Sequence, residues 1–427
     1  MTLQLLTLLL RKAKRSRMTD FKNLFQRAHR QNLITPEDDA TIFYDLSALK
    51  ERIIKFEALF PSQHLHTVAI KTCPLSAILS EIGKTGFGHE AASVAEVLLA
   101  AQASDAHIVY DGPAKRKEEL ELILPLKDRL LINANSLQDL KKISPFPFPH
   151  IGLRINTQVQ TRVNDIFDVS QRRSKFGVSI KRKEEIIEAF SSIENLDSLH
   201  FHLGSGMNNI TPFVNALTLL DELCQAIEVE RKKVGFRPLS NIDIGGGLLA
   251  ELPRKELQKA KALGQVLQND FGHLWDKYTL ITEMGQYFHT QNAWVCTKIS
   301  DVIHHKSRPT IIAQTGANMF PRQAYTSTPP PFAYSILGAA ANAPLRSYDI
   351  AGPLCFAGDI VAENISLPET KEGDCLVIDA VGANTFSLYS MHCSWPFPKV
   401  IGYESEGQNM RIVKERMGFE QLIAFWS

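Results

Sequence analysis

Charge of one sign is missing from this sequence. Its 47 Lys and Arg face 46 Asp and Glu, a formal net charge of +1 over 427 residues. Such a balance provides no strong field to recruit nucleic acid or an anionic membrane surface. Cysteine is sparse: six residues, with no C-x-x-C pair and no zinc-ligand spacing. That pattern predicts reduced thiols in a cytoplasmic protein, without a disulfide framework or a metal site. Long apolar runs are also lacking, and no stretch reaches the length needed to span a bilayer. Met1 to Leu10 is leucine-rich, but Arg11, Lys12, Lys14, Arg15 and Arg17 follow it, the reverse of a secretory signal. This segment reads as a disordered extension or as lying upstream of a start at Met18, with an amphipathic surface or targeting helix as the alternative. Internal repeats are absent.

What is present is alternation. Apolar runs at Thr67–Lys71, Gly86–Glu90, Ile108–Tyr110, Leu130–Asn133, Ile151–Ile155, Leu199–Leu203, Asn241–Ile244 and Leu280–Glu283 read as eight strands. Most gaps hold helical patterns, among them Pro74–Ile82, Lys183–Ser192 and Pro212–Glu230. Strand–helix alternation implies parallel pairing through crossovers. Eight units in about 240 residues predict an α/β fold of the (β/α)8 barrel type over a doubly wound sheet. After Tyr287 the helical patterns thin, and short β-like runs appear at Ala293–Ile299, Thr310–Ala313 and Cys375–Asp379. The expected division is an extension and lead-in over 1–40, a barrel over 41–287 and a β-rich domain over 288–427.

Parallel barrels carry their chemistry at the C-terminal ends of their strands. Those ends hold Lys71, Glu90, Asp111, Asn133, Arg154, His202, the run Gly245-Gly246-Gly247 and Glu283. A lysine at the end of a buried strand is expected to be desolvated and lowered in pKa, which suits a Schiff-base nucleophile. Its position suits a rim lysine with a snorkelling stem equally well. Three glycines after the seventh strand let backbone amides approach a phosphate, or form only a tight turn. His202 is placed to stack on a flat ring with Ser205 beside a phosphate, while His200 reads as a satisfied core histidine. Glu283, ending the last strand, can bond a pyridine nitrogen and keep it protonated, or serve as a structural carboxylate of the barrel.

Taken in order, these segments resemble the fold-type III pyridoxal-phosphate (PLP) decarboxylases, the diaminopimelate, ornithine and arginine decarboxylases and their relatives. Ala69-Ile-Lys-Thr-Cys-Pro74 resembles A-x-K-x-N-P, and Gly86 to Ser93 with Glu96 resembles the segment whose acid lies near the cofactor. Phe201 to Ser205 resembles H-x-G-S, Ile242 to Gly247 the phosphate loop, and Glu283-Met-Gly-Gln286 resembles E-P-G-R. Gly352 to Asp359 resembles G-P-x-C-E-S-x-D, and Gly382-Ala-Asn384 resembles G-A-Y. The resemblance runs from about Thr41 to Pro398. It implies an alanine racemase-like barrel plus a C-terminal β domain, PLP on Lys71, and His202 stacked on the ring. Glu283 would pair with the pyridinium nitrogen, and Ser205 with Gly245, Gly246 and Gly247 would hold phosphate. Glu90, Arg154, Gly285, Gln286 and Asn384 complete the expected cofactor set. A homodimer with shared active sites is implied, in which Cys355 from the partner subunit protonates the carbanion left by CO₂. Arg322, followed by Tyr325 one residue earlier than in those relatives, is the expected carboxylate binder.

Departures from the pattern narrow the substrate. The arginine of E-P-G-R is Gln286, the tyrosine of G-A-Y is Asn384, the acid after the catalytic cysteine is Phe356, and the segment Ser390-Met-His-Cys-Ser-Trp395 also differs, which brings His392 and Trp395 near the expected site. That acid meets the distal ammonium in diaminopimelate decarboxylases, so Phe356 points to an amino acid or conjugate without one, as in siderophore or antibiotic assembly. A racemase or epimerase on the same fold, or a non-catalytic PLP-binding regulator, are the rival functions. Glu283 favours decarboxylation over racemisation, because alanine racemases usually place arginine near the pyridine nitrogen. The retention of Lys71, His202, Glu283 and Cys355 favours catalysis over binding alone.

Overall fold

The computed structural model describes residues 20–250, 257–327, 329–340 and 342–427. The leucine-rich segment Met1–Leu10 and the basic residues after it lie outside them. Two compact units divide the chain: one runs up to Leu49 and resumes over His289–Ser427, the other is Lys50–Phe288. The first described strand, β1 (Ala40–Asp45), therefore lies in the β-rich unit, and the barrel unit starts at Lys50 rather than at the expected 41. The cause is pairing: β1 makes its ladders with strands near residues 295 and 400.

In the barrel unit, eight parallel strands close a ring. They are β2 (His64–Ala69), β3 (Gly88–Ala91), β4 (Ile108–Tyr110), β5 (Leu130–Ala134), β6 (His150–Asn156), β8 (Leu196–His200), β9 (Asn241–Asp243) and β10 (Thr279–Glu283), while the short β7 (Val178–Ser179) extends beside the end of β6. Pairing runs in that order, and β10 returns to β2. All eight expected strands are present. Their interiors are nearly all buried, as befits strands covered on both faces and rich in Val, Ile and Leu. Val109, Leu131 and Ile281, with Leu65 against them, fill the inside of the ring. The helix Thr211–Lys233 carries Pro212 in its first turn and three basic residues in its last, in keeping with helix-end preferences. From that helix the fully buried Arg231 guanidinium donates to the carbonyls of Phe190, Glu194, Leu196 and Arg237 at 2.7–2.9 Å. It thus fixes the end of helix Lys183–Ser192 against the start of β8.

The β-rich unit holds a second sheet of nine strands: β1, β11 (Ala293–Ile303), β12 (Thr310–Ala313), β13 (Ala333–Ile336), β14 (Leu345–Ala351), β15 (Ile360–Pro368), β16 (Cys375–Asp379), β17 (Lys399–Glu404) and β18 (Gln408–Lys414). β1 sits between β11, antiparallel, and β17, parallel. Phe43 of β1 stacks on Trp294 of β11 at 4.1 Å and 3°. Phe21, Leu24 and Ala28 of the helix over residues 20–30 pack on the same cluster. No helix among the described residues is long and apolar enough to cross a membrane.

Candidate active site

Several expected strand ends shift by a few residues, and the shifts matter. β2 stops at Ala69, so Lys71 lies in a one-turn 3₁₀ segment, Ile70–Thr72, closed by Cys73 N–H to the Ile70 carbonyl at 2.9 Å. The expected strand through Lys71 is thus replaced by a tight turn that lifts the lysine off the strand end. β8 stops at His200, not Leu203. His202, Gly204 and Ser205 form the loop beyond it, and that loop is pinned by Ser205 N–H to the Phe167 carbonyl at 3.0 Å.

Within the barrel the structure brings together Lys71, Glu90, Arg154, His202 and Glu283. The Lys71 ammonium donates to Glu90 Oε2. Its side chain keeps 47% exposure while Glu90 keeps 1%, which is the geometry of a lysine standing in an open bowl with its counter-charge in the wall. Desolvation in the bowl pulls the Lys71 pKa down, but Glu90, Glu283 and Asp111 pull it up further. The net direction is above the ordinary lysine value, which corrects the expected lowering. Desolvation is opposed here by carboxylates that the linear sequence does not place next to Lys71. Burial pushes Glu90 upward, against the pull of Lys71. Arg154 is buried with its guanidinium 4.5 Å from the centre of the Phe176 ring, and the field of Asp111 and Glu283 holds it there.

Glu283, 3% exposed at the end of β10, has its carboxyl raised well above the usual range by burial and then by Asp111, Asp243 and Glu90. Its Oε1 is buried without a hydrogen-bond partner. His202 Nδ1 lies 3.8 Å from Glu283 Oε2 and accepts the Gly246 N–H at 3.1 Å. The glycine run is required by backbone approach. A Cβ on Gly246 would lie 2.1 Å from the Glu283 carbonyl and one on Gly247 2.0 Å from the Gly204 carbonyl, while Gly245 has φ +65°. Gly285 is held likewise, since a Cβ there would meet Thr72 Cγ2 at 2.5 Å.

Beneath these groups lies a buried set to which the linear pattern assigns no catalytic role. His200, fully buried, has Asp111 Oδ2 at 3.2 Å from Nε2 and Asp243 Oδ2 at 3.2 Å from Nδ1. Asn133 Nδ2 donates to Asp111 Oδ1 at 2.7 Å, and Asp243 Oδ1 accepts the Gly245 N–H at 2.9 Å. Burial works against the Asp111 carboxylate, but the charge of His200, a hydrogen bond donated by the protonated Glu283 carboxyl, the charge of Arg154 and a hydrogen bond from Asn133 outweigh it and hold its pKa low. The available signal was positional: Asp111 directly follows its strand, while His200, Asp243 and Glu283 each end theirs. Ligand atoms of Asp111, His200 and Glu283 lie within 4.8 Å of one another, a spacing that could hold a cation among the described residues. The charges of Arg154 and Lys71 in the same bowl oppose a divalent ion. A single ring N–H donor, by contrast, satisfies the orphaned Glu283 Oε1, so these residues fit a protonated pyridine ring.

The remaining expected residues lie in the β-rich unit. Cys355 is exposed in the Gly352–Asp359 segment. The buried Asp359 shapes that segment by accepting the Ala317 N–H at 2.5 Å and the Leu354 N–H at 2.7 Å. Phe356 stacks on Tyr325, ring centres 5.7 Å apart at 17°, and Tyr325 is 69% exposed. Burial lowers the Arg322 pKa, though a guanidinium stays charged. Asn384 adopts φ +53°, a left-handed conformation that Asn tolerates better than a bulky residue. Gln286, in the barrel unit, opens the short helix Gln286–His289.

The sequence profile described as "Pyridoxal-dependent decarboxylase, pyridoxal binding domain" matches residues 46–290. The chain is 25% identical to the diaminopimelate decarboxylase of Helicobacter pylori over 392 residues, covering 89% of this chain and 93% of that protein. It is 26% identical to that of Haemophilus influenzae over 368 residues, covering 82% and 85%. Among solved structures, the H. pylori diaminopimelate decarboxylase complexed with L-lysine superposes with a TM-score of 0.81 at 24% identity, over 93% of this chain and 99% of that one. The arginine decarboxylase of Paramecium bursaria Chlorella virus gives 0.73 at 21% identity, over 88% and 100%. A buried acid with an orphaned oxygen beside a barrel lysine and a glycine loop is thus found in a chain that belongs to the pyridoxal-dependent decarboxylases, PLP enzymes that remove the carboxyl group of an amino acid.

Proposed function

We propose that this enzyme decarboxylates an amino acid or amino-acid conjugate whose side chain carries no free distal ammonium. Lys71 Nζ holds the cofactor, and Glu90 steadies that amine between turnovers. The observation that carries the site is Glu283 Oε1, a buried acceptor with no protein donor. Glu283 would accept the ring N–H of the cofactor, and His202, oriented by the Gly246 N–H, would hold one face of the ring. Ser205 and Gly245 to Gly247 hold phosphate, with Gly285, Gln286 and Asn384 completing the cofactor contacts and Arg154 balancing the acids beneath. PLP, when bound, supplies the electron sink that makes loss of CO₂ feasible. Arg322 binds a substrate carboxylate. The Phe356–Tyr325 stack offers an apolar wall to the side chain, where an acid would be needed for an ammonium. Cys355 Sγ delivers the proton that replaces CO₂ on the substrate α-carbon.

The working unit proposed is a cytoplasmic homodimer in which Cys355 of one subunit serves the lysine of the other. Mixing Lys71→Ala with Cys355→Ala protein tests this, since with shared sites an equimolar, randomly reassorted mixture regains about a quarter of the parent activity. No recovery on mixing overturns sharing. The substrate reading is tested by CO₂ release from a panel of free amino acids and their N-acylated or conjugated forms. Turnover of free meso-diaminopimelate faster than every conjugate overturns it. Holoenzyme should show a near-visible absorbance that Lys71→Ala lacks.

A further inference from the structure

The β-rich unit contains a cavity of about 380 Å³ whose wall is formed in part by Thr315, Asn318, Met319, Trp395, Arg416 and Phe419. We propose that this cavity is a binding site for a small carboxylic acid with an apolar, preferably aromatic, body. Its size, its charge and the polar atoms left over in its wall all suit such a guest. Ligand sites begin near this volume, and it suits a guest of roughly ten to fifteen heavy atoms.

Charge selects an anion. Arg416 has no described carboxylate within ion-pair distance, although its charge reaches the exposed Glu37, and its guanidinium lies 5.3 Å from the centre of the Phe419 ring. The acid at the rim, Asp39, is already neutralised by Lys298 at 2.9 Å. A planar fork of N–H donors matches one carboxylate in two parallel bonds. The floor adds polar groups. Thr315 and Asn318 are each 1% exposed, and Thr315 Oγ1 and Asn318 Nδ2 have no hydrogen-bond partner. Buried polar atoms left unmatched are costly, and a small rotation of the Thr315 side chain offers its hydroxyl to a guest. Asn318 is otherwise fixed, because its Oδ1 accepts the Gly316 N–H at 3.0 Å.

The apolar share is also fixed in place. Trp395 Nε1 donates to the Gln314 carbonyl at 3.2 Å, and the Tyr389 hydroxyl donates to the Trp395 carbonyl, so the indole is held as one wall. Met319, Phe419, Pro396 and Pro398 supply the remaining contact surface. The segment before Trp395 carries Cys393 and Ser394 at φ +56° and +54°. Two successive non-glycine residues in the left-handed region concentrate backbone strain at this wall.

The test uses the full-length holoenzyme and 4-fluorophenylacetate, read by fluorine NMR and by quenching of Trp395 emission. Saturable binding is expected, with 4-fluorophenylacetamide at least about tenfold weaker because it cannot pair with the guanidinium. Arg416→Gln should weaken the acid about tenfold while leaving the amide unchanged. Trp395→Phe should abolish the quenching while the NMR signal persists. Lys71→Ala should bind the probe as the parent does, which separates this site from the decarboxylation reading. Equal affinity for acid and amide, binding insensitive to Arg416→Gln, or no saturable binding up to about 10 mM each overturns the proposal. The acid-against-amide comparison needs no variant, so the result does not depend on a substitution folding.

Discussion

Replacing Asp111 by Asn tests the electrostatics of the barrel most directly. The change is nearly isosteric, and the replacement's Oδ1 can still accept from Asn133 Nδ2, as Asp111 Oδ1 does at 2.7 Å. What it removes is one negative charge whose oxygen lies within 4.8 Å of Glu283. At that distance, with an effective dielectric of about 20, the lost repulsion is worth about 3.5 kcal/mol, or about 2.5 pH units. Arg154 and His200 act on the same carboxylates and screen part of this, which leaves roughly one to two units. Burial and then Asp111 raise the Glu283 carboxyl, so without the Asp111 charge Glu283 ionises at lower pH. Its ionised form is the one that pairs with a protonated ring nitrogen. The acid limb of kcat/KM should therefore move to lower pH by roughly one to two units in Asp111→Asn. The assay is CO₂ release across pH 4 to 9, with cofactor content checked by absorbance. An acid limb that stays put, or moves to higher pH, refutes the claim that Asp111 acts on Glu283 through its charge.

Gly246→Ala must move the Glu283 carbonyl, because the new Cβ lies 2.1 Å from it. A loss of about 1–3 kcal/mol of stability together with weaker PLP affinity is expected, and parent-like melting and PLP titration would show the approach to be slack. Cys355→Ala should lower kcat by about 10² to 10⁴ while cofactor absorbance is unchanged, as steady-state kinetics with spectra will reveal. Arg231→Ala strips the charged donor from four carbonyls. Urea unfolding should register a loss of roughly 3–5 kcal/mol, and a change below about 1 kcal/mol would mean water replaces the guanidinium without penalty.

The barrel was legible because each of its strands is local: continuous apolar runs such as Ile108–Tyr110 and Leu130–Ala134 announce burial on both faces. Strand ends were less so. Nothing in Leu199-His-Phe-His-Leu203 says that the ladder stops at His200, since the stop is set by the neighbouring strands and the loop pinned to Phe167. The direction of the Lys71 shift is illegible for the same reason. Burial can be read from the residues flanking a lysine, but the opposing acids come from β3 and β10 and from the end of β4, 19 to 212 positions away. The His200 contacts with Asp111 and Asp243 likewise exist only once the ring has closed. β1 escaped assignment to the β-rich unit because its partners, β11 and β17, lie about 250 and 360 residues further on, and no periodicity encodes such a pairing.

That pairing sets an order of events during synthesis. β1 leaves the ribosome first among the described strands, yet one of its two ladders waits for residues 399–403. All residues of the barrel unit, Lys50–Phe288, emerge in the interval. The barrel can close while β1 is still an open-edged strand with Ile42, Phe43 and Tyr44 uncovered, and such an edge invites pairing with other chains. Chains released before about residue 400 should therefore aggregate through β1 even when their barrels are intact. Low temperature or slow translation would lengthen the time this strand spends without its final neighbour.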